Sequence, residues 1–146
     1  MKVTSQSLAD TRRVADELLA NLKPGPSATV IALQGDLGAG KTAFTQEVGK
    51  ILGIQENMSS PTFVIEKIYD VDFRGFRKLI HIDAYRIEKE SELIHLGWNE
   101  ILKEPTNLIF IEWPELVPAL IPENAIKISL EFVSESVRNI HLHEKE

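Results

Sequence analysis

The sequence predicts an α/β domain built on a mixed sheet, and two observations carry that reading. In the first two-thirds, short apolar runs rich in β-branched residues alternate with segments whose apolar residues recur three and four apart. Near the C-terminus, two strand-like runs with period-two alternation follow one another across a short turn. The first pattern calls for parallel strands joined by helical crossovers, the second for an antiparallel β extension. A length of 146 residues fits one domain, taken as 1–146.

Residues 7–22 read as an opening helix, with Leu8, Thr11, Ala15, Leu18 and Leu22 on one face and Ser7 with Asp10 as a capping start. Lys23-Pro24-Gly25-Pro26 ends it, because proline cannot continue the ladder. ATVIALQ (28–34) has the composition of a central parallel strand. Phe44, Val48, Ile51 and Leu52 are spaced for a helix over 42–52, with Gly53 as its stop. NMSSPTF (57–63) reads as loop. VIEKIYDV and RKLIHIDAYR flank Asp72-Phe73-Arg74-Gly75-Phe76 as two strands joined by a turn. Ser91 to Leu102 is expected to be helical, LIFIE (108–112) is the next strand, and AIKISLEFV and RNIHLH close the chain as an antiparallel pair.

Composition excludes several function classes. The net charge of −6 and the lack of a basic run argue against a surface that holds nucleic acid by itself, so direct DNA or RNA binding is not expected. The chain has no cysteine, which removes disulfides, thiolate catalysis and Cys-based zinc sites. No stretch approaches the roughly 18 apolar residues of a membrane span, and the N-terminus lacks a signal-like apolar region. A cytoplasmic protein without membrane association is the expectation.

Gly35-Asp36-Leu37-Gly38-Ala39-Gly40-Lys41-Thr42 matches G-x-x-x-x-G-K-[ST] at every fixed position. Glycines let such a loop curl until consecutive N–H groups face phosphate oxygens. Lys41 supplies a point charge for the β- and γ-phosphates, Thr42 a hydroxyl for Mg²⁺, and the helix that starts there its positive end. A glycine-rich turn that binds nothing is the bland alternative. The fixed positions arise by chance in on the order of one such chain in a few hundred, and a strand before with a helix after is the context the motif requires. The domain is therefore expected to be a P-loop NTPase-like three-layer domain, its mixed sheet mainly parallel at the centre.

Mg²⁺ between phosphates also needs a carboxylate, which in open α/β sheets stands at the carboxyl end of a neighbouring strand. Asp83 ends KLIHID and Glu112 ends LIFIE, so both are candidates for the metal and for orienting the attacking water. The residue types and spacing do not choose between them. His81, on the same apolar strand as Asp83, reads as a core histidine, Tyr85 as a packing residue, and Arg86 as a salt-bridge partner of Glu88 or Glu90. Trp113 reads as a partly buried aromatic that stacks near the nucleotide or a partner surface.

Four motifs in order, GDLGAGKT (35–42), SPTF (60–63) with Tyr69 downstream, HIDAYR (81–86) and IEWPE (111–115), resemble the TsaE (YjeE) family. The resemblance implies a small P-loop ATPase of bacterial tRNA threonylcarbamoyladenosine modification, using ATP and Mg²⁺. It implies partnership with TsaB and TsaD, which transfer threonylcarbamoyl to an adenosine beside the tRNA anticodon. tRNA would then be met only through the complex, which the ATPase resets for turnover. It assigns Lys41 and Thr42 to nucleotide and metal, and Asp83 and Glu112 to metal and hydrolysis. Thr62 is implied near the γ-phosphate and Thr11 near the adenine.

Two other nucleotide chemistries compete. A small-molecule kinase is disfavoured because no arginine-rich lid is visible and little chain is left for an acceptor pocket. A GTPase switch would use Asp72-Phe73-Arg74-Gly75 as D-x-x-G, yet that segment reads as a hairpin turn and no N-K-x-D motif occurs.

Overall fold

The computed structural model describes residues 2–36, 38–55 and 66–143. Among these, the elements run β1 (Lys2–Ser5), α1 (Leu8–Ala20), β2 (Thr29–Gln34), α2 (Lys41–Ile51), β3 (Glu66–Phe73), β4 (Phe76–Asp83), α3 (Glu90–His95), α4 (Trp98–Lys103), β5 (Asn107–Glu112), β6 (Ile126–Ser134) and β7 (Val137–Leu142). Two 3₁₀ turns, Pro114–Leu116 and Pro118–Leu120, follow β5. The strands form one sheet in the order β1-β7-β6-β2-β5-β4-β3.

Its centre is parallel, with β2 between β5 and β6 and with β4 beside β5. Its two margins are antiparallel, β3 on β4 at one end and β6–β7–β1 at the other. β5 explains why the centre reads as an unbroken apolar run. All six of its residues are buried, since helices cover both faces there. On one face Ile31, Leu33, Leu79, Leu108 and Phe110 meet Val14 and Leu18 of α1 and Phe44 and Val48 of α2. On the other, Val30, Ala32, Ile80, Ile82, Ile109 and Ile111 pack with Leu93, Trp98 and Val117. Strand alternation then puts His81, Asp83 and Glu112 on the α1/α2 side. A buried aliphatic or aromatic side chain contributes about 1.5–3 kcal/mol, so these two layers fix where the acids point.

Local chemistry sets the element ends. The Ser7 hydroxyl accepts from the Asp10 N–H at 3.2 Å, and the Asp10 carboxylate accepts from the Gln6 N–H at 3.0 Å, which start α1. Leu8, assigned to the apolar face, is 60% exposed because the helix begins before it reaches the sheet. The expected helix from Ser91 to Leu102 is instead two short ones. Gly97 adopts φ +90° between them, and Trp98 turns inward, its indole N–H donating to the Leu120 carbonyl at 3.0 Å. β1 had no apolar run to announce it. It is a four-residue edge strand whose pairing comes entirely from β7. Asp72-Phe73-Arg74-Gly75-Phe76 does form the turn between β3 and β4, tightened to Arg74 (φ +52°) and Gly75 (φ +95°). The segment 57–63 lies outside the described residues.

Candidate active site

The end of β2 runs into the glycine-rich loop, and the loop into α2. Gly38 and Gly40 take φ +80° and +98°, conformations that side chains disfavour. Gly35 is required for another reason: a Cβ there would lie 2.5 Å from the Leu130 carbonyl oxygen of β6. The Ala39 N–H donates to the Asp36 carbonyl at 3.0 Å, closing the tight turn, and the Phe44 N–H donates to the Gly40 carbonyl at 2.9 Å, opening the helix. Leu37 lies outside the described residues.

Lys41, the first residue of α2, is 5% exposed and folds back over the loop. Its ammonium donates to the Gly35 carbonyl and sits 3.4 Å from the centroid of the Trp113 indole. Burial lowers its pKa, while the negative charges of Glu112, Glu115, Asp83 and Asp36 pull the other way. The lysine is held by the Gly35 carbonyl and the Trp113 ring, with the acids contributing only longer-range attraction.

Parallel register decides which acid stands nearest. Leu33 of β2 pairs with Glu112 of β5, and Glu112 with Asp83 of β4, so Glu112 is one strand from the loop and Asp83 two. The Thr42 hydroxyl lies 3.3 Å from Glu112 Oε1. On its other oxygen Glu112 meets His81 Nε2 at 2.5 Å, and both residues are almost wholly buried. A carboxylate only accepts, so the imidazole presents Nε2–H to it; Nδ1 is buried with no hydrogen-bond partner among the described residues. His81, read from sequence as a core histidine, is buried as expected, yet it is paired with the acid beside the loop. Period-two spacing from Asp83 was the available signal, because H-x-D puts both side chains on one face.

Asp83 ends β4 less deeply, its Oδ1 accepting from the Tyr85 N–H at 3.0 Å. Tyr85 is 49% exposed rather than packed in the core, and its ring lies 5.1 Å from that of Trp113. Trp113 itself has φ +61° and ψ +47°, a left-handed conformation costly for a bulky residue. That backbone turn swings the indole out of the strand line and over Lys41. Arg86 is exposed and forms no ion pair with the described residues, so the expected bridge to Glu88 or Glu90 is not made. Glu88 lies just before α3 and Glu90 is its first residue, and there Glu92 instead accepts the Glu88 and Lys89 N–H groups.

Thr11 lies on the other side of the loop. It is buried, 2.7 Å from the Ser5 hydroxyl, and lines a cavity shared with Gly40 and Ala43. Thr62 falls outside the described residues. Among the described residues no group of three or more His, Cys, Asp or Glu forms a cation cage. The Thr42–Glu112 pair instead offers two hard oxygen ligands, the kind of incomplete set that Mg²⁺ accepts when phosphate and water complete its shell.

The family model described as "Threonylcarbamoyl adenosine biosynthesis protein TsaE" matches residues 5–140. This chain belongs to the TsaE family. It is 35% identical over 143 residues to the tRNA threonylcarbamoyladenosine biosynthesis protein TsaE of Rickettsia prowazekii, covering 97% of this chain and 94% of that protein. The Bacillus subtilis TsaE is 37% identical over 131 residues, covering 90% of this chain and 77% of that one. A crystal structure of Bacillus subtilis YdiB superposes with a TM-score of 0.76 at 29% identity, covering 97% of this chain and 83% of its own. The TsaE match thus spans the loop, both acids and the C-terminal hairpin, and the α/β fold agrees with that of the solved relative.

Proposed function

We propose that this chain is a Mg²⁺-dependent ATPase that acts with TsaB and TsaD in tRNA threonylcarbamoyladenosine biosynthesis, within one domain spanning 1–146. The observation that carries the reading is Glu112, held between the Thr42 hydroxyl and the His81 imidazole one strand from the loop. A carboxylate buried this deeply needs polar partners, and one of the two is the Thr42 hydroxyl in the first turn after the loop, which brings the acid to the place a phosphate-bound metal would occupy.

In this reading Gly35, Asp36, Leu37, Gly38, Ala39 and Gly40 wrap the phosphates, and Lys41 leaves the Gly35 carbonyl to bind the β- and γ-oxygens. Thr42 and Glu112 hold the metal, with Asp83 beside them to orient water. Bound Mg²⁺ would neutralise charge that develops on the phosphate oxygens. Trp113, whose indole is in contact with the Lys41 ammonium, stands beside the same phosphates in this reading. The family resemblance puts Thr62 near the γ-phosphate and Thr11 near the adenine. Specificity for ATP and the partner proteins rests on the family resemblance. A direct role for tRNA is not part of the proposal, because the chain is acidic.

Turnover of ATP by the purified protein tests this, alone and with TsaB and TsaD. Slow hydrolysis that rises on adding both partners is expected; a rate indifferent to them would sink the assignment. The kinase alternative predicts phosphate transfer to an acceptor in place of release to water.

A further inference from the structure

We infer that His141 and His143, two residues apart at the end of β7, form a chelating site for a late divalent transition metal such as Zn²⁺. The site is separate from the Mg²⁺ ligands proposed at the loop. Side chains of β7 alternate between two layers. Ile140 faces the α1/α2 side. So does Arg138, whose Cζ lies 4.7 Å from the Phe132 ring centroid and whose Nε would be 3.5 Å from a Cβ placed on Gly40. His141 faces the other way, in register between Lys2 of β1 and Ser129 of β6. His143 follows it, and the two imidazole centroids are 4.0 Å apart with their planes tilted by 40°.

Core packing does not account for this contact, because His141 is half-buried and His143 exposed. His143 is nevertheless fixed at two points. Its backbone N–H donates to the Lys127 carbonyl at 2.9 Å, and its Nε2 lies 2.8 Å from the Ser129 hydroxyl. With Nε2–H donating to that hydroxyl, Nδ1 keeps its lone pair. Metal-binding imidazoles are oriented in this way, by a partner on the nitrogen that does not face the ion. His141 makes no side-chain hydrogen bond among the described residues, so its neutral ring offers a lone pair in either tautomer.

The surroundings favour a cation. Asp36 and Glu131 line the same open cavity of about 910 Å³ as His141. Lys2, opposite His141, is exposed, and its flexible stem lets the ammonium stay in water. Two imidazoles leave the rest of the coordination shell to water. Zn²⁺, Ni²⁺ and Cu²⁺ accept such a set, whereas Mg²⁺ selects oxygen ligands. A bound ion clamps the end of β7, and since His143 is already tied to β6 it braces the β1–β7–β6 margin.

Titration calorimetry of the full chain with ZnCl₂, in nucleotide-free buffer, tests the site. A single equivalent should bind, and excess Mg²⁺ should not displace it. His141→Phe and His143→Phe, which keep a ring in the contact, should each weaken binding at least about tenfold. Ser129→Ala, which leaves both rings in place, should weaken it about tenfold; it keeps the proposal testable if a phenylalanine variant fails to fold. Zinc at a hundredfold excess over Kd should raise the wild-type melting midpoint by about 5–10 °C. The double variant His141→Phe/His143→Phe should show no such rise. Wild-type protein that binds no zinc would overturn the proposal. So would a double variant that binds it as tightly as wild type, which would put the ion elsewhere, such as at His81 and Glu112.

Discussion

Glu112 and Arg138 stand on opposite sides of one loop, the first at the end of a parallel strand, the second in an antiparallel hairpin. Glu112 belongs to a wall set by register: β2, β5 and β4 run parallel, so Leu33, Glu112 and Asp83 arrive at the same rim. Its side chain is buried and tied to two neighbours. Arg138 belongs to a wall set by side chains on a half-exposed hairpin, where Phe132 is 51% exposed and Val133 50%. The difference teaches that the proposed phosphoryl side is fixed by parallel strand register, whereas the hairpin side is held by side-chain contacts at half-exposed positions.

The strongest way to break this comparison is at the acid. Glu112→Gln should cut ATP hydrolysis by about 10²–10³-fold, the scale of losing a preorganised electrostatic group, while ADP still binds. Undiminished single-turnover hydrolysis would transfer the working role to Asp83. Lys41→Ala removes the charge common to both walls and should weaken ADP at least about 100-fold by calorimetry. Gly35→Ala drives a methyl into the Leu130 carbonyl. Urea unfolding should then show a loss of about 2 kcal/mol.

His81 sharpens the comparison on the buried side. His81→Leu should weaken Mg²⁺-dependent ADP binding about tenfold, as expected when the partner that orients a metal ligand is lost. Metal-free ADP binding should stay as it was, and His81→Gln, which still donates to Glu112, should recover most of the deficit. The smallest effect belongs to Glu66, on the edge strand beside Asp83, where burial raises the carboxyl pKa above its usual 4.5 and Oε1 lacks a partner among the described residues. In the window between 4.5 and the raised value the folded state binds more protons than the unfolded one, so stability falls as pH rises. Glu66→Gln should raise the melting midpoint by about 1 °C at pH 7. That gain should vanish below the ordinary glutamate range.

Both walls were unequally legible in the sequence. Glu112, Asp83 and the loop were readable because each follows from a spacing: apolar run then acid, or glycines then Lys-Thr. The sheet centre was readable for the same reason, since strands buried on both faces leave continuous apolar runs. The order of β2, β5 and β4, which puts Glu112 nearer than Asp83, depends on pairing across dozens of residues and leaves no local mark. His81 hid in a strand whose burial was all its neighbours advertised. Arg138 offered no signal, because nothing between it and Gly40 in sequence says that β7 comes to lie beside the loop. β1 and the break at Gly97 were missed because pairing with β7 and the inward turn of Trp98 overrode weak local preferences.

The contact between Gly35 and Leu130 bears on descent as well as on chemistry. The first glycine of the nucleotide motif is required by the backbone of a neighbouring strand, independent of any ligand. A relative that had lost nucleotide binding altogether would still be selected for glycine there, merely to let β6 lie beside β2. Its persistence in a lineage therefore records architecture. Lys41 and Glu112, whose burial has no comparable steric justification, are the positions at which drift would first betray an abandoned activity.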